Sequence, residues 1–134
     1  MTDMELINKA ICAMNQSYSP YSEFCVGAAL ISKNGKVYTG TNIENAAFSA
    51  TVCAERTAFF KAVSEGEKEF SKIAIVGGKK GDIKDFCFPC GVCRQVMSEF
   101  CEDDFSILTY NGNEIKRISL KDLLPLGFGG ADLC

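Results

Sequence analysis

The chain has 134 residues, 47% of them apolar and 23% charged, with a formal net charge of −3. That length suits one domain over residues 1–134 around one core, the composition is the profile of a soluble globular protein, and no apolar run is long enough to span a bilayer. An acidic balance argues against a nucleic-acid partner, which needs a basic face to displace counterions from phosphates; the short basic cluster Lys79-Lys80 with Lys84 is diluted by Asp82 and Asp85 and reads as a solvated loop.

The first residues carry early acids and lack the basic start and apolar stretch of a secretory signal, so the expected compartment is the cytoplasm. Met4, Ile7, Ile11 and Met14 recur at helical spacing and predict a helix over residues 3–16 with one buried face and Asp3 as its cap. Residues 17–23, SYSPYSE, form a loop. Residues 25–32 and 37–41 predict two strands joined by the turn Lys33-Asn34-Gly35-Lys36. Residues 42–48 are small and polar, more loop than element. Residues 52–63 predict a helix closed near Gly66, with Phe59-Phe60 in the core. Residues 72–76, KIAIV, predict a buried strand, and residues 77–88 a glycine- and lysine-rich loop. Gly77-Gly78 lacks the rest of a phosphate-loop motif. Residues 90–101 predict a third helix with Val92, Val96, Met97 and Phe100 inward. Residues 105–110 and 114–118 flank the hairpin signal Asn111-Gly112-Asn113, residues 119–124 predict a short helix, and a glycine-rich tail follows Pro125. This order of elements packs most economically as an α/β domain, a central sheet with helices on both faces.

Eight cysteines and no histidine constrain the chemistry. A disulfide scaffold is usually shorter and secreted, whereas clustered cysteines in a reducing compartment bind metal. Any metal must sit on thiolates or carboxylates, and any general base must be Asp, Glu, Lys or Tyr. The strongest signal is Cys53-Ala54-Glu55 together with Pro89-Cys90-Gly91-Val92-Cys93. Three clustered thiols, not four, match a catalytic zinc with an open position rather than a closed structural site. Both clusters open predicted helices, whose unpaired N–H groups favour thiolate. Cys90 and Cys93, three apart on a first turn, face one side. Arg56 and Arg94 follow the motifs and are expected to donate to the sulfurs, offsetting their charge. Glu55 converges on the metal only if the helix tip itself faces it; it then takes a proton from the activated water and hands it to a leaving nitrogen. Cys12, Cys25, Cys87, Cys101 and Cys134 read as non-ligands, the helical Cys12 and Cys101 as buried free thiols, with Cys87 the alternative fourth ligand.

Along nearly its whole length the chain resembles the small, homo-oligomeric cytidine deaminases. The matching stretches are Ser19-Pro20-Tyr21-Ser22, Val26-Gly27-Ala28-Ala29, Asn42-Ile43-Glu44-Asn45-Ala46, Cys53-Ala54-Glu55-Arg56, Pro89-Cys90-Gly91-Val92-Cys93-Arg94-Gln95 and Leu123-Leu124-Pro125 with Phe128. The resemblance implies a three-layer α/β/α sandwich with a mixed central sheet of about five strands. It implies one Zn²⁺ per chain on Cys53, Cys90 and Cys93, and Glu55 as proton shuttle. It implies that the Ala54 backbone contacts the base carbonyl, Phe24 packs on the pyrimidine, and Asn42 and Glu44 hydrogen-bond the ribose hydroxyls. Phe128 would reach a neighbouring subunit's site in a homotetramer. The implied reaction is attack of activated water at C4 of cytidine or 2′-deoxycytidine, with loss of ammonia, in pyrimidine salvage. Phe48 stands where relatives often carry Tyr, so any hydrogen bond from that hydroxyl is lost. Two other readings compete: deamination of a cytosine-containing antibiotic of the blasticidin S type, and a non-enzymatic structural-zinc module. The latter predicts a fourth protein ligand and leaves Glu55 without a role.

Overall fold

A capping box opens the first helix. Thr2 accepts a hydrogen bond at its hydroxyl from the Glu5 N–H, and the Glu5 carboxylate accepts one from the Thr2 N–H. Thr2, not Asp3, is therefore the cap of α1 (Asp3–Met14). Asp3 lies inside the first turn and pairs with Lys72 at 2.7 Å and Arg117 at 2.7 Å.

The computed structural model describes residues 1–133; Cys134 lies outside the described residues. After α1 come β1 (Phe24–Ser32), β2 (Val37–Thr41), a 3-10 turn (Phe48–Ala50), α2 (Ala54–Ser64), β3 (Phe70–Lys79), α3 (Gly91–Phe100), β4 (Ser106–Tyr110), β5 (Ile115–Ser119) and α4 (Leu120–Leu123). The strands form one mixed sheet in the order β2-β1-β3-β4-β5. Only β3 and β4 run parallel; every other pair is antiparallel. A parallel pair needs a crossover, and that connection is α3.

Each face of the sheet has its own core. Leu6, Ile7, Ala10 and Met14 of α1 pack on Ala29, Ile31, Ala74, Val76 and Leu108. On the other face α2 and α3 pack on Leu30, Ile73, Ile75 and Ile107. There Phe59 is fully buried against Phe70, Phe100 and Phe105; a ring so placed contributes on the order of 3–5 kcal/mol. The three-layer α/β/α sandwich around a mixed five-stranded sheet is thus the fold.

Several local expectations give way. β3 runs on through Gly77 and Gly78 instead of ending at Val76. A Cβ on Gly78 would lie 2.0 Å from the Asp82 carbonyl oxygen, so the strand and the loop after it approach too closely for any side chain. Phe60 is 50% exposed while Phe59 is buried, because neighbours on a helix point about 100° apart. Val92 points outward for the same reason: Cys93 and Met97 take the inner face of α3. Cys12 is exposed, not buried, on the outer side of α1.

β2, one margin of the sheet, is tied to α2. Lys61 donates to the Thr39 carbonyl, and Thr57 Oγ1 donates to the Thr41 carbonyl at 3.0 Å. At the other margin β5 exposes Lys116 and Arg117. No helix among the described residues is long and apolar enough to cross a membrane.

Candidate active site

Cys53 is the N-cap of α2, and Cys90 is the N-cap of α3, with Cys93 in that helix's first turn. Neither cap side chain accepts a capping hydrogen bond from its helix backbone, so both thiols are free to turn toward each other. Pro89 is buried just before Cys90 and cannot extend a helix backwards. The sulfurs of Cys53, Cys90 and Cys93 all lie within 4.8 Å of one another, with Cys53 and Cys90 3.6 Å apart. Zinc–sulfur bonds of about 2.3 Å in a tetrahedron put sulfurs about 3.8 Å apart. The donor set and its spacing fit one zinc ion. No other group of three or more potential ligands occurs among the described residues, and the cluster does not include Cys87.

The acidities follow the geometry. The Cys53 thiol is lowered to about 5 by hydrogen bonds from Cys93 and Arg56, against burial. The Cys93 thiol is raised, because it shares its proton with Cys53 and is buried. Burial pushes Cys87 up to about 12, with the charges of Glu55 and Cys53 adding to it. Cys87 is an inert neighbour whose N–H donates to Thr109 Oγ1 at 3.0 Å. Glu55, in the first turn of α2, is 3% exposed. Burial pushes its carboxyl up to about 7, and the charge of Cys53 works in the same direction. A carboxyl titrating near neutrality beside a metal-binding cluster can both take and return a proton.

The two arginines divide their work. Arg56 Nη2 donates to the Cys53 sulfur at 3.5 Å, as expected, and its Nε is buried without a protein acceptor. Arg94 does not reach the sulfurs. Its Nε donates to the Pro89 carbonyl and its Nη1 to the Leu123 carbonyl, both at 2.8 Å, so it pins the segment before Cys90 to α4.

Phe24 begins β1, with its ring 42% exposed and one edge over Gly77 beside the Cys87 sulfur. Ala54, the first residue of α2, is fully buried. Asn42 and Glu44 lie beyond β2, where a backbone bridge joins Tyr18 to Ile43. Both are engaged within the chain. Asn42 Oδ1 accepts from Ser17 Oγ and from the Val26 N–H at 2.9 Å, and its Nδ2 donates to the Phe24 carbonyl at 2.7 Å. Glu44 Oε1 accepts from the N–H groups of Tyr21 and Ser22 at 2.9 and 3.1 Å, and Oε2 accepts from Ser22 Oγ. Counting donors and lone pairs, Asn42 keeps one N–H and Glu44 one acceptor position. No role for Ser17 or Ser22 follows from the sequence, where both lie in the hydroxyl-rich run SYSPYS. Phe48 is 80% exposed on a groove of about 400 Å³ shared with Tyr21 and Glu44. Phe128 is 58% exposed, and its carbonyl accepts from Gln95 of α3 at 2.8 Å.

The profile of the cytidine and deoxycytidylate deaminase zinc-binding region matches residues 1–109. The cytidine deaminase of Sporosarcina psychrophila is 46% identical over 130 residues, 96% of this chain and 93% of that one. The crystal structure of the cytidine deaminase of Burkholderia pseudomallei superposes with a TM-score of 0.88 at 42% identity, over 96% of this chain and 100% of that one. The blasticidin-S deaminase of Bacillus cereus is 33% identical over 130 residues, 94% of this chain and 91% of that one. Sequence, fold and the three sulfurs at two helix tips agree: the chain belongs to the cytidine and deoxycytidylate deaminase zinc-binding family.

Proposed function

We propose that this chain hydrolyses cytidine and 2′-deoxycytidine to uridine and 2′-deoxyuridine with release of ammonia. The observation that carries the reading is geometric: three cysteine sulfurs that fit one zinc ion, with the buried Glu55 carboxyl two residues from one of them. A structural knuckle has no use for such a carboxyl and closes its metal with a fourth ligand.

Cys53, Cys90 and Cys93 hold the zinc. When bound, zinc supplies a Lewis acid that makes a water molecule nucleophilic at neutral pH. Glu55 accepts a proton from this water and delivers it to N3 as the C4–O bond forms, then takes the remaining hydroxyl proton and delivers it to the leaving nitrogen; the C4–N bond breaks, ammonia departs and the C4 carbonyl remains. The Ala54 N–H, which has no intrahelical partner as the first residue of α2, donates to the base carbonyl. Phe24 packs its ring on the pyrimidine. Asn42 and Glu44 offer one donor and one acceptor, the needs of a single hydroxyl. That valence count supports a sugar site tolerant of the 2′-deoxy form. The Asn42–Glu44 pair and the Phe128 tail favour a nucleoside over the antibiotic of the blasticidin S type.

The exposed Phe128 tail belongs, in this reading, in the site of a neighbouring copy within a homotetramer, working in the cytoplasm. A large exposed ring next to a terminus is more stable when docked. The decisive experiment is incubation with cytidine, followed by ultraviolet absorbance and ammonia release. The wild type turns over. Glu55→Gln keeps its zinc and loses at least about a thousandfold in kcat. A fully active Glu55→Gln, or an active preparation without zinc, overturns the proposal.

A further inference from the structure

The network around Glu44 has a residue that serves neither the metal nor the base directly. Ser22 is exposed, and both its N–H and its hydroxyl are engaged. Its N–H donates to Glu44 Oε1 at 3.1 Å, its hydroxyl donates to Glu44 Oε2, and the same hydroxyl oxygen accepts from the Phe24 N–H at 3.0 Å. A hydroxyl has one proton and two lone pairs. Here the proton is directed at the carboxylate and a lone pair at the backbone of the aromatic residue.

We infer that Ser22 is a positioning residue that locks the Glu44 carboxylate, and with it the sugar end of the site, to the backbone that aims Phe24. This rests on the nucleoside reading above. Three further observations support it. The Phe24 carbonyl is held from the other side by Asn42 Nδ2 at 2.7 Å, so both backbone polar groups of Phe24 answer to side chains of the sugar end. Glu23, between Ser22 and Phe24, sits in the left-handed region at φ 60°. It is clamped there because the Lys80 N–H donates to its carbonyl at 2.7 Å and Lys80 Nζ lies 3.5 Å from its carboxylate. A non-glycine residue in that region is uncommon and persists only where its surroundings fix it. Finally, with three of the roughly four acceptor positions of Glu44 filled, the direction of the remaining one is set by the Tyr21 N–H and the two Ser22 bonds together, and the Ser22 hydroxyl alone holds Oε2.

Losing Ser22 Oγ leaves Oε2 of Glu44 unheld, so the carboxylate pivots about the Oε1 atom that the Tyr21 and Ser22 N–H groups still hold, and the turn into Phe24 loosens. Ground-state binding suffers, while proton transfer at Glu55 does not. In Ser22→Ala, KM for cytidine rises about tenfold, the scale of one charge-assisted hydrogen bond, and kcat stays within about twofold. With 2′,3′-dideoxycytidine, which has no vicinal hydroxyl to offer Glu44, KM rises by less than about threefold. Ser22→Thr, which keeps the hydroxyl, restores cytidine KM to within about twofold of wild type. As a readout independent of turnover, the Glu44 carboxyl is followed by NMR. Its ordinary acidity is strengthened chiefly by the Ser22 hydroxyl, so it titrates at higher pH in Ser22→Ala.

Unchanged cytidine KM, equal KM penalties for both nucleosides, or loss of kcat together with zinc would each overturn the assignment. So would an unshifted Glu44 titration. Wild-type protein inactive on cytidine is a different failure: it removes the nucleoside reading, while the Glu44 titration still decides whether Ser22 holds that carboxylate.

Discussion

The first turn of α2, which follows the ligand candidate Cys53, is packed against β2 with no space to spare, and the metal cluster is expected to depend on that contact. Gly40 of β2 lies against the start of that helix, where an added Cβ would meet the Ala54 carbonyl oxygen at 2.5 Å, the Ala58 nitrogen at 2.6 Å and Thr57 Cβ at 3.0 Å. Two of the three are backbone atoms, so no rotamer change relieves the clash. Ordinary contact begins near 3.4 Å, so in Gly40→Ala the first turn of α2 must withdraw by about 1 Å. Overpacking of this kind costs about 1–3 kcal/mol. A domain of this length unfolds with an entropy near 0.3 kcal/mol/K, so the cost lowers Tm by about 4–10 °C. The same turn begins at Cys53, and metal sites tolerate ligand displacements of only about 0.2 Å. Zinc affinity measured by competition with a chromophoric chelator should therefore fall by about tenfold to a hundredfold, the range seen when support around a metal site is lost. Gly129→Ala, where a Cβ meets nothing within 4 Å, serves as the control and changes neither quantity. Wild-type Tm and zinc affinity in Gly40→Ala would refute the whole chain of reasoning. A lowered Tm with intact zinc affinity would show that the close approach is real and that the metal site does not depend on it.

Two other predictions follow from charges fixed by the fold. Arg56→Ala removes the one guanidinium donor to Cys53 Sγ, so zinc should be stripped by chelator about tenfold to a hundredfold more readily while the fold is kept; equal retention would refute that role. Asp3 is held below its ordinary carboxylate range, first by the hydrogen bond from Lys72 and then by Arg117, so its pairing stabilises the fold above the unfolded-state pKa and is lost as pH falls through the folded one. Urea unfolding at pH 7 should show Asp3→Asn less stable by about 1 kcal/mol, with the gap closing below about pH 4; a gap that widens toward acid would refute the sign.

What the sequence made legible was chemistry carried by spacing. Cys53, Glu55, Cys90 and Cys93 are set by positions within two helix starts, and a helix start is a local event. The hairpin at Gly35 was legible because a turn is local too, and the two-sided packing because the order of elements leaves few other arrangements. Partners distant in the chain were not. Arg94 follows a ligand in sequence yet reaches the Leu123 carbonyl, because its side chain is long and α4 packs beside it. Gly77 and Gly78 look like loop residues, but strand pairing to Val26 and Cys25 holds them in β3. Asn42 and Glu44 read as open hydrogen-bonding groups, and only the folded 17–26 segment reveals how few valences they keep.

Both margins of the sheet are poor places for a further strand to add. An incoming strand needs bare carbonyls and amides along an edge. At β2 it finds the Thr39 and Thr41 carbonyls already occupied by side chains of α2, and at β5 it finds two cations in a row. Both borders thus discourage growth by β-augmentation, which leaves helices and loops as the routes for association and guards an apolar-rich polypeptide against polymerising into fibrils.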